Sequence, residues 1–256
     1  MRLLLHLRAT GPSDDGPGAG LARFIQLLIA RGWRSDLPGG MDTVYSFSNL
    51  FPPAEVRTGD TRQLLIASPN PELIRALARQ LRHERDPLRV RGMAFRIERH
   101  ETFSVRVDRP DLRLVTATPV LLRVPSPEGA GLVHWTPPLG TEVFIDALNR
   151  DLVRRFNTYH GARLDEGTRV IADGTLLRAT RSGRTPSSYW EFGTGRMTAP
   201  TRRILAFAID AGFGERVRHG FGFVNPAKAS MAGKNDSGSA GEPRDSDTAS
   251  HRPPSS

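Results

Sequence analysis

The chain has 256 residues, 38% of them hydrophobic, which is enough apolar material for one large domain or two small ones. It has no cysteine, which excludes disulfides, thiolate metal sites and thiol nucleophiles. The formal net charge of +9 points to an anionic partner, and lysine occurs only at Lys228 and Lys234, so the cations are almost all arginine.

Taken in chain order, residues 2–9 alternate. Leu3, Leu5 and Leu7 point one way, and Arg2, Leu4, His6 and Arg8 the other, which is the pattern of a half-buried strand. The apolar run is too short for a signal peptide, and nothing approaches the ~20 apolar residues of a membrane-spanning helix. A soluble, cytoplasmic protein is expected. A Gly/Pro/Asp loop (11–20) precedes Leu21, Phe24, Ile25 and Leu28, whose spacing predicts an amphipathic helix stopped by Gly32. Residues 43–51 read as a strand ended by Pro52-Pro53, and Leu64–Ala67 as another. Asn70 is a suitable N-cap for a helix with Pro71 and Glu72 in its first turn and Leu73, Leu77 and Leu81 along its stripe. Extended stretches at 88–98 and 102–107 follow. The order β-α-β-β-α-β is that of a ferredoxin-like unit.

The second half repeats that order with insertions. Leu112–Arg123 is strand-like. Phe144, Ile145, Leu148, Leu152 and Phe156 share a helical face, with Arg150, Arg154 and Arg155 largely off it. Thr168–Thr180 supplies one or two strands and Tyr189–Phe192 a short one. Arg202–Ala211 reads as a helix with Leu205, Ala208 and Ile209 inward and Gly212 as a left-handed cap. The expected fold class is α+β, two tandem ferredoxin-like domains at 1–109 and 110–225. From Pro226 the composition turns to Ala, Ser, Gly, Asp and Pro, and 226–256 is expected to be a disordered tail. Its four basic and four acidic side chains cancel, so the whole +9 belongs to residues 1–225.

One stretch carries chemistry: Gly212-Phe213-Gly214-Glu215-Arg216-Val217-Arg218-His219-Gly220-Phe221-Gly222. Four glycines allow sharp turns and a close approach of backbone N–H groups to a ligand. Arg216 and Arg218 beside such groups suit phosphate, against the plainer reading of a glycine-rich turn with solvated arginines. His219 either stacks on a base or contacts phosphate, or is an exposed loop histidine. The chain shows no clustered His/Asp/Glu set with metal-ligand spacing, and no cofactor is expected.

Placed at the end of a second ferredoxin-like unit, this loop resembles the glycine-rich signature of the CRISPR-associated repeat-RNA endoribonucleases of the RAMP superfamily. Gly212, Phe213, Gly214, Arg216, Arg218, Gly220, Phe221 and Gly222 match. Tyr45-Ser46-Phe47-Ser48-Asn49-Leu50-Phe51 is similar to the family's second-strand segment. The resemblance implies RNA contacts at Gly212, Gly214, Arg216, Arg218, His219, Gly220 and Gly222. It also implies metal-independent cleavage of CRISPR precursor RNA within its repeats, by attack of a 2′-OH on the adjacent phosphorus. Repeat RNA is the implied partner, with room for other CRISPR-associated effector subunits and a second copy of the chain. Many members use a histidine near the end of the first helix as acid or base, yet Arg23–Phe51 contains none. Either this chain cuts without it, or it holds the guide RNA without cutting. The candidate groups are Tyr45, whose phenol can orient a 2′-OH, and His6, a proton carrier near neutral pH. The plainer readings are a space-filling aromatic and a solvated strand histidine. His83, His100, His134 and His160 are read as surface residues at helix ends or in loops.

Overall fold

The computed structural model describes residues 1–12, 20–32, 43–82, 87–90, 92–109, 111–129 and 131–227. The tail from residue 228, and the parts of the 11–20 loop and of the 33–42 interval that sequence reasoning touched, lie outside them, as does His83.

The first sheet is built from β1 (Arg2–Pro12), β2 (Ser46–Phe47), β3 (Thr61–Ala67), β4 (Leu88–Val90) and β5 (Met93–Phe103), all antiparallel in the order β2-β3-β1-β5-β4. Leu3, Leu5, Leu7 and Ala9 on one face of β1 are buried under α1 (Leu21–Gly32) and α2 (Pro71–Leu81). Asn70 caps α2 as its position suggests, its Oδ1 accepting the Glu72 N–H at 3.0 Å.

The second sheet takes β6 (Arg113–Thr116), β9 (Ile171–Ser182), β10 (Thr185–Thr194) and β11 (Val224–Pro226) in the order β11-β6-β10-β9. Behind it lie α3 (Thr141–His160) and α4 (Ala199–Ala211), and a small hairpin of β7 (Arg123–Pro125) and β8 (Leu132–His134) is inserted before α3. Setting the edge strand β4 aside, both sheets run fourth-first-third-second, the antiparallel order of a ferredoxin-like unit, so the chain is a tandem ferredoxin-like fold. Val105 and Val107 pack in the second core, whose centre stacks Phe144 on Trp190 with ring centroids 4.4 Å apart.

Several elements differ from expectation. The 43–51 strand is reduced to Ser46–Phe47 because the Ser48 hydroxyl takes the Leu65 N–H that a ladder carbonyl would receive, leaving only an isolated bridge at Phe51. The stretch expected to end at 98 instead divides into β4 (Leu88–Val90) and β5 (Met93–Phe103), so His100 sits inside β5, half-buried. His134 lies in β8, also half-buried, whereas His160 ends α3 exposed. Helix α4 starts three residues early because Thr198, its N-cap, and Thr201, in its first turn, form a reciprocal capping pair. The last strand falls at Val224–Pro226 rather than 221–224. No helix among the described residues is long and apolar enough to cross a membrane.

Candidate functional site

The two units meet where α4 ends. Arg2, 1% exposed, crosses from the first sheet into the second. It donates to Asp210 Oδ1 (3.2 Å), Ile209 O (2.9 Å), Val224 O (2.8 Å) and Asn225 Oδ1 (2.5 Å), and lies over the Phe223 ring. Ser46 Oγ donates to Asp210 O at 2.9 Å. These bonds fix the second-strand segment against the end of α4, where the glycine-rich loop begins.

The loop is folded on itself and on its neighbours. Six of its N–H groups are spent internally: Gly212 on Ala208 O, Phe213 on Gly222 O, Glu215 on Leu121 O, His219 on Arg216 O, Gly220 on Val217 O and Gly222 on Pro119 O. Its glycines serve close packing. A Cβ at Gly222, where φ is +68°, would lie 1.9 Å from Phe213 O, and one at Gly214 would lie 2.4 Å from Leu121 O. Gly212 takes a positive φ of 82° with an extended ψ of 168°, not the left-handed helical cap expected of it. Gly220 lies against the Phe47 ring, so the two sequence segments that carried the family resemblance are in contact.

Because the loop follows a helix C-terminus, the local backbone field is negative. Positive charge there comes from side chains. Arg155, on α3, donates to Ala211 O and Gly212 O, both at 2.9 Å, and to Gly214 O at 3.3 Å, and stands 3.5 Å from Asp151 Oδ2. Burial lowers its pKa and the Asp151 carboxylate raises it again. Arg154 is mostly exposed and bonds Asp151 Oδ1 at 2.9 Å. Arg218 reaches Thr43 Oγ1 at 3.2 Å and lies 5.8 Å from the centroid of Tyr45, while Gln26 of α1 donates to its carbonyl at 3.2 Å. These side chains surround a pocket of about 310 Å³ whose remaining walls are Val44, Thr158, Tyr159, Phe207 and Val217.

Of the residues singled out from sequence, Tyr45 and Arg218 meet in this pocket. Tyr45 is 3% exposed, and burial pushes its phenol above the ordinary range, with Arg218 pulling it partly back. Arg216 and His219 are exposed on the same loop. Arg216 occupies a left-handed conformation (φ 52°, ψ 32°), uncommon without glycine. His6 lies on the β1 face opposite the leucines, 3.1 Å from Glu101 Oε1, and does not line this pocket. Arg154, Arg155, Thr158 and Tyr159 were missed. Their only signal was a cluster of arginines off the apolar face of α3, which reads as a solvated surface. Among the described residues no group of three or more His, Asp or Glu side chains is placed to hold a metal ion.

A second concavity of about 470 Å³ opens between the sheets, with Leu4 and Gln63 on one side and Arg178 and Tyr189 on the other. The Arg178 guanidinium covers the Tyr189 ring at 4.6 Å, and Phe51 stands 62% exposed at the rim.

Two ferredoxin-like sheets in succession, with a glycine-rich loop after the last helix, define the tandem ferredoxin-like class of fold. Residues 104–226 match the family described as CRISPR associated protein Cas6, C-terminal. A CRISPR-associated endoribonuclease Cas6 of Haloferax mediterranei is 29% identical over 269 aligned residues, spanning 92% of this chain and 97% of that protein. A Cas6-related protein from Pyrococcus furiosus has the same fold (TM-score 0.64, 17% identity, 90% of this chain and 99% of that one). So does a RAMP protein that binds different RNA substrates (TM-score 0.60, 21% identity, 89% of this chain and 100% of that one). Residues 104–226 thus match the Cas6 C-terminal family model, and the chain is similar to a Cas6 endoribonuclease along nearly its whole length.

Proposed function

We propose that this chain is an endoribonuclease that cuts CRISPR precursor RNA within its repeats, without a metal, to release guide RNAs. The observation that carries the reading is the meeting of Tyr45 with Arg154, Arg155 and Arg218 in one pocket at the junction of the two units. Similarity to a Cas6 endoribonuclease over nearly the full chain supports it.

In the reaction the 2′-oxygen upstream of the cut forms a bond to phosphorus as the P–O5′ bond breaks, giving a 2′,3′-cyclic phosphate and a 5′-hydroxyl. Negative charge builds on the non-bridging oxygens, where Arg154 and Arg218 supply charge-assisted donors. Tyr45, with a raised pKa, holds its proton at neutral pH. It therefore acts as a donor, orienting the 2′-hydroxyl or meeting the departing 5′-oxygen, and not as the base. The 2′ proton passes to solvent, and the departing 5′-oxygen takes its proton from Tyr45 or from solvent. Arg216, Arg218 and His219 on the loop, and the inter-sheet concavity with its Arg178–Tyr189 stack, hold the flanking strand through phosphate contacts and base stacking. Gly212, Gly214, Gly220 and Gly222 act by giving the loop its shape. His6, paired with Glu101, has no part in the step.

Purified protein incubated with its own repeat RNA in EDTA is expected to yield a cyclic-phosphate 5′ fragment. Tight binding without any cut would sink the nuclease reading in favour of a guide-holding subunit, which the lack of a histidine in Arg23–Phe51 favours.

A further inference from the structure

The pocket at the loop has walls that phosphate chemistry does not call for. Val44, Tyr159, Phe207 and Val217 form an apolar side of a space of about 310 Å³, while the charge comes from Arg154, Arg155 and Arg218. Tyr159 and Phe207 stand with ring centroids 5.3 Å apart and tilted by 41°, and Phe207 is braced edge-on by Phe156 at 5.7 Å. Phosphate and ribose are polar, and only the faces of a nucleobase match such a wall.

The chemistry supplies the reason a base would be there. Attack by the 2′-oxygen needs it in line with the P–O5′ bond, and enzymes gain by binding reactants in that near-attack geometry. A continuous A-form stack holds the 2′-oxygen off that line, so the nucleotides flanking the cut must be splayed. A splayed base has lost its stacking neighbours, and an aromatic side chain replaces them. Arg154, two-thirds exposed with its bond to Asp151 on the neighbouring turn, stands where the phosphate of such a nucleotide would pass.

Resting on the proposed nuclease reading, we infer that this apolar wall receives one unstacked nucleobase from a nucleotide flanking the scissile phosphate, stacked on Tyr159. The pocket thereby selects single-stranded RNA at the cut and adds a base-shape requirement that the loop arginines cannot impose.

The test is binding of the full chain to its repeat RNA, made uncleavable by a 2′-deoxy substitution at the attacking nucleotide. The RNA is used intact or with an abasic site on either side of the cut. For one of the two positions the abasic RNA is expected to bind about tenfold more weakly, as loss of one base–aromatic stack implies. Tyr159→Leu should weaken binding of intact RNA by a similar factor and add nothing when the base is already missing. Tyr159→Phe, which keeps the ring, should bind like the parent protein. Losses that multiply to about a hundredfold, or a Tyr159→Phe protein as weak as Tyr159→Leu, would overturn the inference while the protein still bound and cut its repeat. A parent protein that neither prefers nor cuts repeat RNA would overturn the functional reading itself, and this inference with it.

Discussion

Replacing Arg155 by alanine is the sharpest perturbation of the junction. Its guanidinium closes three carbonyls, Ala211 O, Gly212 O and Gly214 O, over the negative end of α4 and the start of the glycine loop. Removing one member of a buried, hydrogen-bonded charge set typically costs about 3–5 kcal/mol, because the groups left behind stay desolvated. Here Arg154 still bonds Asp151 Oδ1 at 2.9 Å, so the carboxylate keeps one partner while its Oδ2 loses Arg155 at 3.5 Å, and the low end, about 3 kcal/mol, is expected. For a chain of this size that corresponds to a fall in Tm of roughly 6–12 °C. Arg155→Lys should lie between the two, since one ammonium cannot span three carbonyls. Thermal unfolding by circular dichroism reads both variants, and hydrogen exchange at the loop amides should rise locally before global unfolding. A loss under about 1 kcal/mol for the alanine variant would refute the view that this side chain anchors the loop.

Gly222→Ala should cost at least about 3 kcal/mol in a denaturant titration, because its Cβ would meet Phe213 O at 1.9 Å, whereas Gly183→Ala, at positive φ with open space around it, should cost only about 1 kcal/mol. Arg216→Gly should relieve left-handed strain and stabilise the fold by about 1 kcal/mol, yet weaken RNA binding and reduce its salt slope by about one. Tyr45→Phe should slow cleavage by roughly tenfold to a hundredfold with little change in RNA affinity. Because the folded phenol's pKa lies above the unfolded value near 10, its contribution to stability is intact below that pH and is lost as pH rises through the folded pKa. Urea midpoints measured through that alkaline range should therefore fall faster for the parent protein than for Tyr45→Phe.

What could be read from sequence was what depends on near neighbours. The alternation of Leu3, Leu5 and Leu7 marked β1 because a strand has a two-residue period, and Asn70 marked the start of α2 because a cap acts two residues on. The tandem order followed from the succession of such elements. The junction could not be read in this way, since its bonds join residues far apart in the chain. Arg2 shared the strand face opposite the leucines with His6 and Arg8, but its partners Asp210 and Asn225 lie more than 200 residues away. Arg155 looked solvated for the same reason. The glycines signalled a special backbone but not its use, and the structure spends six loop N–H groups on the protein itself. The strand expected over 43–51 shortened because a side chain, that of Ser48, entered the ladder.

The most direct test of the account is a single 2′-deoxy substitution at the repeat nucleotide just upstream of the cut, assayed in EDTA beside unmodified RNA. The account predicts unchanged binding and no cleavage of the substituted RNA, with a 2′,3′-cyclic phosphate and a 5′-hydroxyl from the unmodified one. Continued cutting at the same position, or a product bearing a 5′-phosphate, would contradict it.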